Sequence, residues 1–225
     1  MLGIFQPLDR KVEIHCHYRN LPHWQQPFCT YFITYRLSDS LPRSMLEAWT
    51  RELRRWKEHH PEPWSVKEWR EYQQRFGKRY HAWLDKGYGS CQLKEARLRR
   101  IITESLSHFD QIRYALDAYV IMPNHVHILV QPDPGFSLQN ILHTWKSYTA
   151  NQINAACKRS GTFWMDEYFD HAVRSWSQMD LYRTYIHENP QKASLPDHAV
   201  TVGRGAGVHL GTEAVPKLKP CASSP

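Results

Sequence analysis

The sequence predicts an α+β fold, an antiparallel sheet flanked by helices, and two observations carry the prediction. Short β-branched and aromatic runs at 31–37 and 114–131 interrupt stretches whose apolar residues recur every three or four positions. The elements then follow the order strand, three helices, strands, helix, strand, helix, which suits helices packed on one antiparallel sheet. No internal repeat competes with a single domain of ordinary size in 225 residues.

Residues 1–30 mix Pro, His, Trp and charges without a period and read as an N-terminal arm. The first core strand is Tyr31-Phe32-Ile33-Thr34-Tyr35-Arg36-Leu37, ended by the turn-like Ser38-Asp39-Ser40. Over 42–59, Met45, Leu46, Trp49, Leu53 and Trp56 recur at helical spacing among Arg51, Arg54, Arg55 and Lys57, which makes a basic amphipathic helix. Pro61 and Pro63 break it, and a second helix at 65–84 carries Trp69, Tyr72, Phe76, Tyr80 and Trp83. After Gly87 and Gly89, a third helix at 94–109 spaces Leu98, Ile101, Ile102, Leu106 and Phe109. Residues 114–122 and 125–131, joined by Pro123-Asn124, form two tightly connected strands or one long bent strand. Pro132-Asp133-Pro134-Gly135 is a turn, and Ser137 caps a helix at 138–158 that Gly161 ends. An extended piece at 163–174 precedes a last helix at 178–188, stopped by Pro190. From His198 onward four Gly, three Pro and no aromatic residue predict a flexible tail, so the domain is placed at 31–195 and the tail at 196–225.

Arg and Lys outnumber Asp and Glu, 29 to 22, and a pI near 9.2 favours a polyanionic partner, nucleic acid first. No stretch approaches the roughly 20 apolar residues that span a bilayer, and the N-terminus lacks a basic segment followed by an apolar run and a cleavage site, so a soluble, unexported protein is expected. Cys16, Cys29, Cys91, Cys157 and Cys221 are odd in number, widely spaced and free of any CxxC pair, which suits reduced thiols in the cytoplasm and argues against a zinc ribbon. No P-loop is present, so no nucleotide cofactor is expected.

In a strand, His125 and His127 of Pro123-Asn124-His125-Val126-His127-Ile128 project from one face while Val126 and Ile128 enter the core. Two imidazoles on one rigid face make half a metal site, although a solvated or hydrogen-bonded pair has the same spacing. His15-Cys16-His17 shows that spacing too, without a long apolar strand around it, and is assigned no function. On the last helix, Tyr185 and Asn189 lie four apart on one face, where a nucleophilic phenol and a hard oxygen ligand could reach one point. Core packing of Tyr182 and Tyr185, with Asn189 merely ending the helix, is the other reading.

Met122-Pro123-Asn124-His125-Val126-His127, then Trp164-Met165-Asp166-Glu167-Tyr168-Phe169-Asp170-His171-Ala172-Val173-Arg174, then Tyr185-Ile186-His187-Glu188-Asn189-Pro190 resemble, in that order, the REP-associated tyrosine transposases. These are relatives of the single-tyrosine HUH transposases. The resemblance implies a ferredoxin-like HUH nuclease core carrying a helical insertion at about 42–86. It implies Tyr185 as the catalytic nucleophile and His125, His127 and Asn189 as ligands of Mg2+ or Mn2+. It also implies a single-stranded or hairpin DNA substrate nicked and rejoined through a 5′-phosphotyrosine, with a monomer preferred over a homodimer. DNA contacts are expected from Lys146, Arg51, Arg54, Arg55 and Arg174. A catalytically silent DNA-binding regulator and a water-using metal nuclease are the competing readings, and Tyr182 is the rival nucleophile.

Overall fold

The computed structural model describes residues 5–9, 11–18, 22–61 and 64–206, with the backbone alone at 15–18, 22–24, 66 and 69. Within the N-terminal arm, β1 (His15–Tyr18) and β2 (Pro22–Gln25) pair as a separate antiparallel ladder. The main sheet is built from β3 (Tyr31–Arg36), β4 (Tyr114–Ile121), β5 (His125–Pro132), β6 (Phe169–Ala172) and β7 (Thr201–Arg204). Its order is β6-β3-β5-β4-β7 with every neighbour antiparallel. In chain order the first four strands stand four-one-three-two, the ferredoxin-like arrangement, with β7 added at the edge.

Alternation along the strands sorts the core into two layers. Ile33, Tyr35, Leu116, Ile121, Val126, Ile128 and Val130 pack against α4 (Ala96–His108) and α5 (Leu138–Ala156). Phe32, Ala118, Val120 and Leu129 face the other way, onto Met179 and Ile186 of α6 (Trp176–Lys192). Ser137 and Ser175 cap α5 and α6, accepting from the backbone N–H groups of Asn140 and Gln178 at 3.2 Å each. A third cluster joins Trp49, Leu53 and Trp56 of α1 (Arg43–His59), Tyr72 of α2 (Val66–Tyr72), and Tyr80 and Leu84 of α3 (Lys78–Asp85) to Phe169 of β6. The helical insertion is therefore packed on the sheet through shared aromatic side chains.

Three sequence expectations are corrected. The helix expected at 65–84 is split by a π-helical turn at Gln73–Gly77, which re-registers α3 relative to α2. The last helix continues past Pro190 to Lys192; Pro190 falls in the final turn, where its missing N–H removes one bond while Leu195 N still donates to the Pro190 carbonyl at 2.9 Å. The segment after Leu195 is structured as far as Ala206, because the open edge of β4 has hydrogen-bonding groups to satisfy and β7 satisfies them in register, Val202 opposite Val120. Arg99, 4% exposed, fastens this return by donating to the His198 carbonyl at 2.7 Å and Thr201 Oγ1 at 2.9 Å. Glycine is required there: a Cβ on Gly203 would stand 2.3 Å from the Tyr119 phenol, and one on Gly205 would stand 2.0 Å from the Leu116 carbonyl oxygen. The remainder of the expected tail, 207–225, lies outside the described residues. Among the described residues no helix is long and apolar enough to cross a membrane.

Candidate active site

β5 is paired with β3 so that His127 stands opposite Thr34 and His125 opposite Arg36, all four on the face covered by α6. Both histidines are fully buried. Asn124 fixes the state of His125: its amide nitrogen donates to the carbonyls of Tyr88 at 3.0 Å and Leu84 at 3.3 Å, which turns its oxygen toward His125 Nδ1 at 2.7 Å. That oxygen only accepts, so His125 carries its proton on Nδ1 and presents a bare Nε2. His127 Nδ1 meets the Thr34 hydroxyl at 2.7 Å, which leaves its Nε2 to face the same point. The two Nε2 atoms are 3.0 Å apart. Two nitrogens at right angles around one divalent ion, each roughly 2.1 Å from it, are separated by roughly this distance.

Oxygen donors surround that point. Asp85, at the end of α3, places a carboxylate oxygen 3.7 Å from His125 Nε2, and ligand atoms of Asp85, His125 and His127 all lie within 4.8 Å of one another. Asn189 is 1% exposed and lies against Asp85 and Tyr185, close enough to lower both groups, yet neither of its carboxamide atoms makes a hydrogen bond of good geometry within the protein, and neither does Asp85 Oδ1. Buried polar atoms are ordinarily partnered, so orphaned oxygens beside two inward nitrogens fit a hard divalent cation. Tyr185 completes the group, its hydroxyl 3.4 Å from His127 Nε2.

The electrostatics agree with the geometry. Burial, assisted by His81, pushes His125 down to about 3, and burial with His125 and His81 holds His127 well below the usual imidazole range. His81 itself, on α3, is pushed to about 4 by burial and carries a buried Nδ1 without a partner. All three rings are therefore neutral at neutral pH, the state a ligand nitrogen needs. Burial raises the Asp85 carboxyl to about 6, opposed by Asn189 and Lys192. Burial also raises the Tyr185 phenol, followed by the Asp85 charge and opposed by Asn189. A cation held among these groups would reverse the direction for both Asp85 and Tyr185.

The predicted residues separate into groups. His125, His127 and Tyr185 are brought together, and Asn189 joins them beside Asp85 and Tyr185; Tyr182 is not among them, its ring stacking on Phe32 at 4.2 Å and 4° and touching His171 at 5.8 Å. Arg51, Arg54 and Arg55 are exposed on α1, as the periodicity predicts: Arg54 borders a cavity beside Arg36, and Arg51 and Arg55 border a separate groove with Arg75. Arg174 immediately precedes the α6 cap and acts on His171 and Tyr182. Lys146 is on α5, in the layer on the opposite side of the sheet, with its Nζ on the Asp166 carbonyl at 2.6 Å. Sequence reasoning missed Asp85, Asn124 and Thr34; only Asn124, adjacent to His125, carried a local signal. The side chains of His15, Cys16 and His17 lie outside the described residues.

Residues 91–189 match the family described as IS200-like transposases, a span that holds His125, His127, Tyr185 and Asn189 and excludes α1–α3. The match bears out the resemblance drawn from the three motifs. No curated protein matches the chain. Among solved structures, the chain is similar to a REP-associated tyrosine transposase bound to a REP hairpin, at 18% identity and TM-score 0.42, over 78% of this chain and 73% of that one. It is also similar to a candidate transposase from Deinococcus radiodurans, at 14% identity and TM-score 0.30, over 71% and 89%. Likenesses this distant decide nothing about the site.

Proposed function

Taking the IS200-like match over residues 91–189 as the premise, we propose that this DNA transposase nicks single-stranded DNA and transfers the strand through a covalent bond between Tyr185 and a 5′ phosphate. The observation that carries the reading is the Tyr185 hydroxyl 3.4 Å from His127 Nε2, within a pocket where the Nε2 nitrogens of His125 and His127 stand 3.0 Å apart. His125, His127, Asn189 and Asp85 are the residues that would hold Mg2+ or Mn2+, with two nitrogens and two oxygens among their donors. The bound ion supplies Lewis-acid polarisation of the scissile phosphate and favours the ionised phenol. Tyr185 Oη bonds to phosphorus as the bond to O3′ breaks; the phenol gives up its proton and O3′ takes one, so no net proton is consumed. The phosphodiester energy stays in the protein link, and attack by another 3′-hydroxyl reverses the step and joins a new strand.

An unpaired strand, with a hairpin to position it, is the substrate that the family resemblance supports. Tyr185 beside His127 of the same chain supports action as a monomer. The test is incubation of the chain and its Tyr185→Phe variant with labelled single-stranded hairpin DNA and Mn2+, followed by a denaturing gel. A metal-dependent, detergent-stable protein–DNA band made only with Tyr185 is expected. Cleavage surviving Tyr185→Phe would replace this mechanism with attack by water, and DNA binding without cleavage would leave a silent binder.

A further inference from the structure

The cations expected from the sequence do not stand at the nucleophile: Arg51, Arg54 and Arg55 are on α1, Lys146 is on the other side of the sheet, and Arg174 acts on His171 and Tyr182. Among the described residues, the cation at Tyr185 is Lys192. It follows Tyr185 by seven positions and Asn189 by three, so all three side chains project from one face of α6. Its ammonium stands 5.7 Å from the centre of the Tyr185 ring. Burial raises the Asp85 carboxyl, and Asn189 and then the Lys192 charge oppose it, which puts the same ammonium beside the proposed metal ligands.

Two features suit Lys192 to a ligand more than to the fold. Its recorded ion pair is with Glu188 at 3.0 Å, one helical turn back, and the two side chains are 56% and 46% exposed. An exposed pair of this kind contributes little and is readily given up. The site is also short of positive charge without it. Asp85, an ionised Tyr185 and a phosphodiester together outweigh a divalent cation by one negative charge, and an uncompensated charge is costly in a largely buried pocket.

We propose that Lys192 is a further catalytic residue: its ammonium leaves Glu188 and takes a non-bridging oxygen of the phosphate that Tyr185 attacks, and keeps that oxygen while the phosphate is bonded to Tyr185. Glu188 holds the ammonium beside the pocket until DNA arrives. A point charge on a flexible stem can follow the phosphorus as its bond passes from O3′ to the tyrosine oxygen. This role rests on the phosphotyrosine reading.

The test is the salt dependence of binding a short fluorescent oligothymidylate in Mn2+, read by anisotropy on the Tyr185→Phe background so that no covalent step intervenes. One lost phosphate contact on a single strand lowers the slope of log affinity against log salt by about 0.7. Lys192→Met is expected to lower the slope by that amount, and Lys192→Arg to keep it. Glu188→Gln should keep the slope and bind no more weakly. Both Lys192→Met and Glu188→Gln break the ion pair, so an equal loss in the two overturns the proposal, as does an unchanged slope in Lys192→Met. With Tyr185 restored, Lys192→Met should slow adduct formation at saturating hairpin DNA by roughly tenfold or more, and Lys192→Arg should recover most of the rate. A full rate in Lys192→Met overturns the catalytic role. An unmodified chain that forms no adduct is a failure of the phosphotyrosine reading instead, and the slope then decides the phosphate contact by itself.

Discussion

Arg183→Ala tests how the helix carrying Tyr185 is held. A bulge in β4 between Leu116 and Ala118 turns the Asp117 side chain, 1% exposed, onto α6, where Arg183 takes it at 2.8 Å through Nε and 2.7 Å through Nη2. Arg183 is two residues before Tyr185, so this pair fastens the tyrosine helix to the sheet that carries the histidines. Removing one partner of a fully buried pair costs about 3–5 kcal/mol, because a charge is left unpaired in a poor solvent. Arg183 is 32% exposed, and water can replace part of what it gives, so about 2–3 kcal/mol is expected. Asp117→Asn removes the stranded charge, so the double variant should be less destabilised than the sum of the singles by about 1–2 kcal/mol. The pH dependence has a definite sign. Burial already holds the Asp117 carboxyl above its ordinary value despite Arg183, and losing Arg183 raises it further. A folded-state carboxyl above its unfolded value favours folding at low pH and loses that contribution as pH rises, so the deficit of Arg183→Ala should shrink on acidification. Urea unfolding of the four proteins at neutral and mildly acidic pH measures both quantities. Additive single effects, or a deficit that grows as pH falls, would refute the anchoring role.

Asp85→Ala should weaken Mn2+ binding, measured by calorimetry, by tenfold or more, and Asn124→Ala should weaken it by about 10–100-fold by freeing the His125 tautomer; unchanged affinity in either would remove that residue from the metal site. His171, 2% exposed and pushed to about 3 by burial, then by Arg174 and His81, stays neutral in the fold while the unfolded chain takes up a proton near pH 6.5. A depressed folded pKa gives stability that is present at high pH and lost on acidification, so at about pH 5 the contribution lost is about 2 kcal/mol, and His171→Gln should flatten the stability profile by that amount. Truncation after Leu195 exposes the β4 edge and leaves Arg99, which donates to His198 and Thr201, short of acceptors. A loss of several kcal/mol is expected, and unchanged thermal unfolding would restore the view that this segment is dispensable.

What was legible in the sequence was whatever repeats at a short, fixed interval. Val126 and Ile128 betray a strand, and the same period of two aligns His125 with His127; the period of 3.6 aligns Tyr185 with Asn189. Asp85 was invisible because forty residues separate it from His125, and no periodicity relates the end of a helix to a strand it reaches only through tertiary packing. The π turn at Gln73–Gly77 adds to this, since it shifts the facing of α3 away from the phase that the earlier apolar residues set. β7 was misread for a different reason. Gly203 and Gly205 look like flexible composition, and they are instead the residues small enough to pass Tyr119 and the Leu116 carbonyl.

The status of α1–α3 follows from the same accounting. An insertion that merely decorated the sheet would bury apolar side chains and keep its polar groups in water, as Arg51 and Arg55 are kept. α3 does the opposite at one end. It carries Asp85 Oδ1 and His81 Nδ1 into places where neither finds a partner within the protein, while Trp49, Phe76, Tyr80 and Leu84 are well buried on the same unit. Each orphaned polar atom costs about 1–3 kcal/mol, so the unit spends part of its aromatic packing on holding unsatisfied groups against His125 and His127. These two orphans face the imidazoles, Asp85 Oδ1 at 3.7 Å from His125 Nε2 and the His81 ring at 5.4 Å from that of His127. A cation among Asp85, Asn189, His125 and His127 would satisfy the oxygens at once and stabilise the fold by mass action. Added Mn2+ should therefore raise the unfolding midpoint of the chain, and should raise it much less when Asp85 is alanine; an equal shift in both would return α1–α3 to the role of a scaffold.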